Sequence, residues 1–186
     1  MDAGLLRPDE PVLGLPVTVG DFWRWAYSDI LCNRNRSIFA EFIVASALGV
    51  ADTPRVEWDE ADMIYRGKKI EVKSSAFVQS WEQRTLSRLV FDISKRTWNN
   101  GTDQSNTSKR RVADCYIFCM YLETESVKAN VLNLSKWHFH IATTEKINEV
   151  FGDQKSIGHS SLLSIAPSFV TIGALKEHID AVLFPS

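Results

Sequence analysis

Apolar and polar residues alternate along both halves of the stretch Ala61 to Ser75, ADMIYRGKKIEVKSS, with Arg66-Gly67 between them. Alternation with period two predicts strands, and a glycine pair-turn between two such runs predicts a β-hairpin. With Arg66-Gly67 as the turn, Tyr65 pairs with Lys68, Ile64 with Lys69, Met63 with Ile70, Asp62 with Glu71 and Ala61 with Val72. Ala61, Met63, Tyr65, Ile70 and Val72 then form one apolar face. Asp62, Arg66, Lys69, Glu71 and Lys73 fall on the other.

Elsewhere the pattern predicts a shell of helices and further strands. Residues 1–20, rich in Pro and Gly, read as an irregular arm. Asp21 is placed to cap a helix through about Leu31, packed by Phe22, Trp25, Ala26 and Ile30. RSIFAEFIVASAL, Arg36 to Leu48, predicts a buried helix stopped by Gly49. A third strand is expected over Arg88 to Ser94. The polar segment TWNNGTDQSNTSKRR reads as a loop, and ADCYIFCMYL as a central strand. Residues 130–143 predict an edge strand or two short ones, followed by helices near Thr144 to Phe151, Leu162 to Ala166 and Gly173 to Leu183. The expectation is a single α/β domain over residues 1–186, with a central mixed β-sheet flanked by helices.

Composition adds three constraints. A hydrophobic fraction of 45% supports a substantial core, yet no apolar run reaches the roughly 18 residues of a membrane span. The N-terminal MDAGLLRPDEP is unlike a secretory signal, so the cytoplasm is the expected compartment. Three cysteines, Cys32, Cys115 and Cys119, form no CxxC pair and are expected to be reduced. The net charge of −2 conceals a basic block, residues 63–111, with eleven basic against four acidic residues. A basic block beside paired carboxylates favours a nucleic-acid backbone as partner over a merely solvated face.

Paired across the hairpin, Asp62 and Glu71 would hold like charges with Cβ atoms roughly 4.5 to 5.5 Å apart, which repels unless a cation intervenes. Mg²⁺, which takes carboxylate oxygens, meets that need, and Lys73 lies on the same face. Asp62, a short turn and then Glu71-Val72-Lys73 resemble the D…(D/E)xK signature of the PD-(D/E)xK, or restriction-endonuclease-like, nucleases, with Ala61 where the family name has proline. The resemblance covers about residues 35–80. It implies a restriction-endonuclease-like core and Mg²⁺-dependent hydrolysis of nucleic acid, most readily DNA, with Mn²⁺ able to substitute. It also implies metal ligation by Asp62, Glu71 and the backbone carbonyl of Val72, support from Glu41, and a Lys73 that positions the attacking water. Many enzymes of this fold act as dimers, so a homodimer is a further implication.

Several assignments stay open. Glu41 shares a helical stripe with Ile38, Ala45 and Leu48, so its carboxylate points inward, either to a metal or to an arginine partner. Glu57, Asp59 and Glu60 compete with Asp62, and Asp59 is the fallback if a bulge shifts the register. Ser75, Gln79 and the cluster Lys109, Arg110 and Arg111 are candidates for substrate contacts, as are Arg34 and Arg36 for phosphate. Trp81 is placed either to pack beneath Gln79 or to stack on a base. His138 and His140, at i, i+2, could pair on a transition metal. Two rivals remain: a nuclease fold that binds nucleic acid or a protein without cutting, and an ion-pair cluster in which Lys73 and Arg66 neutralise the carboxylates without a metal.

Overall fold

The computed structural model describes residues 4–57, 59–97 and 109–185. The first helix, α1 (Val19–Tyr27), starts earlier than the cap expected at Asp21, because Thr18 is the N-cap. Thr18 and Asp21 form a capping box: each side chain takes the other's backbone N–H, and Asp21 is the third residue of the helix. The packing expected of α1 is not found. None of its residues is buried, and Phe22 and Trp25 are 51% and 84% exposed. Ile30, beyond the helix, does pack on the core.

Helix α2 (Asn33–Leu48) ends as expected at Gly49, whose φ of 72° is the left-handed conformation that glycine adopts without steric cost. The hairpin follows with its expected register: β1 (Met63–Tyr65) lies antiparallel to β2 (Lys68–Ala76), with Met63 opposite Ile70, Ile64 opposite Lys69 and Tyr65 opposite Lys68. Both turn residues have positive φ, 49° at Arg66 and 80° at Gly67, as a type I′ turn demands.

The third predicted strand does form as β3 (Val90–Asp92), but apart from the main sheet. Two short strands, β4 (Arg96–Thr97) and β5 (Lys109–Arg110), pair with each other; residues 98–108, which hold most of the predicted loop, lie outside the described residues. The central strand β6 (Cys115–Tyr121) has all seven side chains buried. It runs parallel to β2 and antiparallel to β7 (Trp137–Thr143), giving the order β1-β2-β6-β7. Helix α3 (Thr144–Phe151) follows directly. Strand β8 (Ser156–Gly158) pairs with β3 where a loop was expected, and α4 (His159–Leu162) therefore comes earlier than predicted. Helix α5 (Leu175–Leu183) closes the described chain.

Two apolar clusters sandwich the sheet. One face packs Ile70, Val72 and Ala76 of β2 against Ala40, Ile43 and Val44 of α2 and Leu175 and Ile179 of α5. The other packs Tyr116, Phe118 and Met120 against Phe91, Ile147 and Ile157. This is an α/β fold with a mixed four-stranded sheet flanked by helices. Among the described residues, no helix is long and apolar enough to cross a membrane.

Candidate active site

The site lies where β1 and β2 part. The β1 ladder reaches only from Tyr65 opposite Lys68 to Met63 opposite Ile70, so β2 has no strand partner on that side beyond Ile70 among the described residues. Asp62 precedes the last paired residue of β1. Its side chain does there what a strand would have done: the Val72 N–H donates to Asp62 Oδ2 at 2.6 Å. This bond anchors Asp62 at the Glu71–Val72 stretch of β2, although the backbones of Asp62 and Glu71 are not paired.

On β2 itself, Lys73 Nζ donates to Glu71 Oε1 at 2.5 Å, and both side chains are one-fifth exposed. From α2, Glu41 points inward as its stripe requires. It is gripped by Arg55, with Nε at 2.5 Å and Nη2 at 3.1 Å from the two carboxylate oxygens. Asp62 therefore lies within electrostatic reach of both the helical carboxylate Glu41 and the strand carboxylate Glu71. Burial, then the charges of Glu71 and Glu41, push the Asp62 carboxyl up to about 7; the Val72 N–H and Lys73 only partly offset this. No basic side chain forms an ion pair with Asp62 among the described residues.

The competing acids are paired elsewhere or exposed. Lys69 donates to Glu60, Asp59 is exposed and accepts the Glu60 N–H, and Glu57 is exposed. Arg66, invoked by the ion-pair rival, turns away to Asp180 and lies 4.0 Å from the centre of the Phe184 ring. Lys73 alone of that pair neutralises a site carboxylate.

The expected substrate contacts divide. Lys109 and Arg110 are exposed on β5. Arg111 is buried, and its guanidinium is spent on the carbonyls of Ile93, Gly152 and Gln154 and on Asn148 Oδ1, so it fastens β5 to the α3 end rather than facing a ligand. Ser75 Oγ accepts the Val90 N–H and ties β2 to β3. Gln79 is buried, accepting from Arg36 and donating to the Ala76 carbonyl. His138 stacks on Phe169 with ring centres 3.8 Å apart, and His140 Nδ1 is 2.7 Å from the Ala166 carbonyl, so the pair is held for packing. The residue that sequence reasoning left unnamed is Arg55. It sits in an exposed link with no periodicity to single it out.

Among the described residues, no group of three or more His, Cys, Asp or Glu side chains is set to hold a metal ion. The nearby carboxylates are those of Asp62 and Glu71, the latter bonded to Lys73, with Glu41 already bound to Arg55. Glu41 and Asp62 also line a cleft of about 710 Å³ whose wall carries Asp52, Asp59 and Glu60 against Arg55 and Lys69.

The site thus joins partly buried carboxylates at the end of the β1 ladder with a lysine two residues along β2 from Glu71. A family model described as Bacteriophage T4 endonuclease IV matches residues 25–156, more than two thirds of the chain and all of this cluster. The chain belongs to that family. Membership makes it a nuclease, with nucleic acid as its substrate. No curated protein and no solved structure gives a significant match.

Proposed function

We propose that the protein is a Mg²⁺-dependent endonuclease of the PD-(D/E)xK kind that hydrolyses phosphodiester bonds of DNA. The observation that carries this reading is Asp62: a carboxylate drawn out of water, opposed by Glu71 and Glu41, only partly offset by Lys73, and with no ion pair of its own among the described residues. Such a group is costly to keep ionised unless a positive charge arrives. The donor set fits a hard cation, since Asp62, Glu71 and the Val72 carbonyl are all oxygen donors. Glu41, held by Arg55, supports them from behind. Mg²⁺ held there by Asp62, Glu71 and the Val72 carbonyl would supply Lewis-acid stabilisation of the charge that builds on the phosphate oxygens.

The chain's own residues do the rest. Lys73 orients the attacking water and adds a fixed positive charge beside the pentavalent transition state. Water oxygen bonds to phosphorus, the bond to the leaving oxygen breaks, and a phosphomonoester and a hydroxyl result. Asp62 is fixed by the Val72 N–H, so its free oxygen is aimed without a search over rotamers. Mn²⁺ is expected to replace Mg²⁺, and a homodimer would let two such sites cut both strands.

The test is cleavage of supercoiled, linear and single-stranded DNA and of RNA with Mg²⁺ or Mn²⁺, comparing the parent with Asp62→Ala and Lys73→Ala. Metal-dependent cutting of DNA that falls by about a hundredfold or more in both variants is expected. Cutting that survives both substitutions, or that proceeds equally in EDTA, would remove the reading.

A further inference from the structure

Further along β2 lies a second, smaller cleft of about 280 Å³, and its chemistry is the reverse of the first. Its lining includes Asn33, Arg36 and Ser37 from the first turns of α2, Ser74 of β2, and Ser87 and Arg88 beyond it, with no acidic residue. Arg36 is only 3% exposed. Its Nη groups donate to the Leu31 carbonyl, Gln79 Oε1 and Asn33 Oδ1, all neutral acceptors. No carboxylate pairs with it among the described residues. Its Nε and the Ser74 Oγ are buried atoms with no hydrogen-bond partner.

A buried guanidinium without a counter-charge is rare, since proteins pair buried charges or pass them to a ligand. Burial correspondingly depresses the Arg36 pKa. Three further features favour an anion. Cys32, the N-cap of α2, gives no side-chain cap to the first-turn N–H groups, so the positive end of a 16-residue dipole lies at this end, where Asp29 accepts the Cys32 N–H. Arg88 adds a second cation. Ser37, Ser74 and Ser87 bring hydroxyl donors.

Position then names the anion. Ser74 follows Lys73 directly and stands two residues, about 7 Å of strand, beyond Val72 on the edge that β1 leaves bare. Successive phosphates of one strand can span that distance. We propose that the Arg36–Ser74 cleft binds an uncleaved phosphate of the same nucleic-acid strand whose neighbouring phosphodiester lies at Asp62, Glu71 and Lys73. The proposal rests on the nuclease reading for the identity of the strand. It assigns substrate positioning, and no chemistry, to Arg36 and Ser74.

The test is anisotropy of a short labelled oligonucleotide in EDTA over a range of salt, with the parent, Arg36→Gln, Ser74→Val and Arg88→Gln. Affinity is expected to fall about tenfold in Arg36→Gln and by a smaller factor in Ser74→Val. The slope of log affinity against log salt should shrink by about one on loss of either arginine. Inorganic phosphate should compete with the oligonucleotide on the parent and raise its Tm, and do neither for Ser74→Val. A methylphosphonate at a single internal position should reproduce the loss on the parent and add nothing further in Arg36→Gln. Unchanged affinity and slope in folded Ser74→Val and Arg88→Gln would overturn the proposal, even if Arg36→Gln fails to fold. Mn²⁺ titration of the same variants separates the two readings: the carboxylate site should bind equally in all, and its failure in the parent would remove the metal-dependent reading of that site while the anion measurement stands.

Discussion

The two clefts draw on adjacent stretches of helix α2 and on opposite ends of β2, yet they carry opposite charge. One gathers Glu41, Asp52, Asp59, Glu60 and Asp62; the other gathers Arg36 and Arg88 with serine hydroxyls. Helix α2 supplies both, Arg36 near its start and Glu41 just over one turn later. The difference teaches how a phosphodiesterase can divide its labour. A phosphate is repelled by the acidic cleft until a cation enters, whereas the basic cleft can take one unaided. Holding the strand and cutting it should therefore be separable, the first surviving in EDTA and the second not.

The largest effect that sharpens this contrast is on turnover. Glu71→Gln should lower cleavage by about a hundredfold or more at saturating DNA, while Ser74→Val should act mainly on KM. A Ser74→Val variant with normal KM and lost turnover would erase the distinction between the clefts.

Next in size is a stability effect peculiar to the acidic side. Folding raises the Asp62 carboxyl from its ordinary value of 3.8 to about 7. The folded protein thus holds a proton that the unfolded chain releases. The associated stability is full below about pH 4 and is lost as the pH rises to about 7. Asp62→Asn keeps an acceptor for the Val72 N–H but removes the charge. In EDTA at pH 8 it should stabilise the protein by on the order of 2 kcal/mol in a denaturant titration, and by nearly nothing at pH 4. A destabilised Asp62→Asn at pH 8 would mean that the carboxylate is already compensated.

Smaller still is the effect of releasing Glu41. Arg55 is about one-third exposed, so its bidentate pair is partly screened. Arg55→Met should cost roughly 1 kcal/mol in EDTA, less than a fully buried pair would. Added Mg²⁺ should restore part of it, because the freed carboxylate gains a cation. No recovery with Mg²⁺ would place Glu41 outside the metal's reach and leave it a structural partner of Arg55.

The hairpin was legible in the sequence because its determinants are local. Gly67 sets the turn, and strand parity then fixes which side chains share a face, so the register from Met63 to Ile70 follows. Gly49 marks the end of α2 for the same reason. What the sequence did not reveal depends on distant partners. Val90–Asp92 has the composition of a sheet strand, but its partner is Ser156–Gly158, some 65 residues later. Arg111 looks like part of a basic cluster, and only the fold brings three carbonyls and Asn148 around it. Phe22 and Trp25 show the converse failure: an aromatic stripe at helical spacing predicts burial, yet α1 keeps it in solvent. Within the site, Asp62, Glu71 and Lys73 were picked out by spacing, whereas Arg55 and the isolation of Arg36 are properties of packing alone.

The most direct test of the central claim is calorimetric titration of the DNA-free protein with Mn²⁺ at neutral pH, repeated on Asp62→Asn and Glu71→Gln. The account predicts saturable binding to the parent, accompanied by proton release and lost or severely weakened in both variants. Absence of binding to the parent, or binding of equal strength in the two variants, would contradict it and return the carboxylates to a structural role.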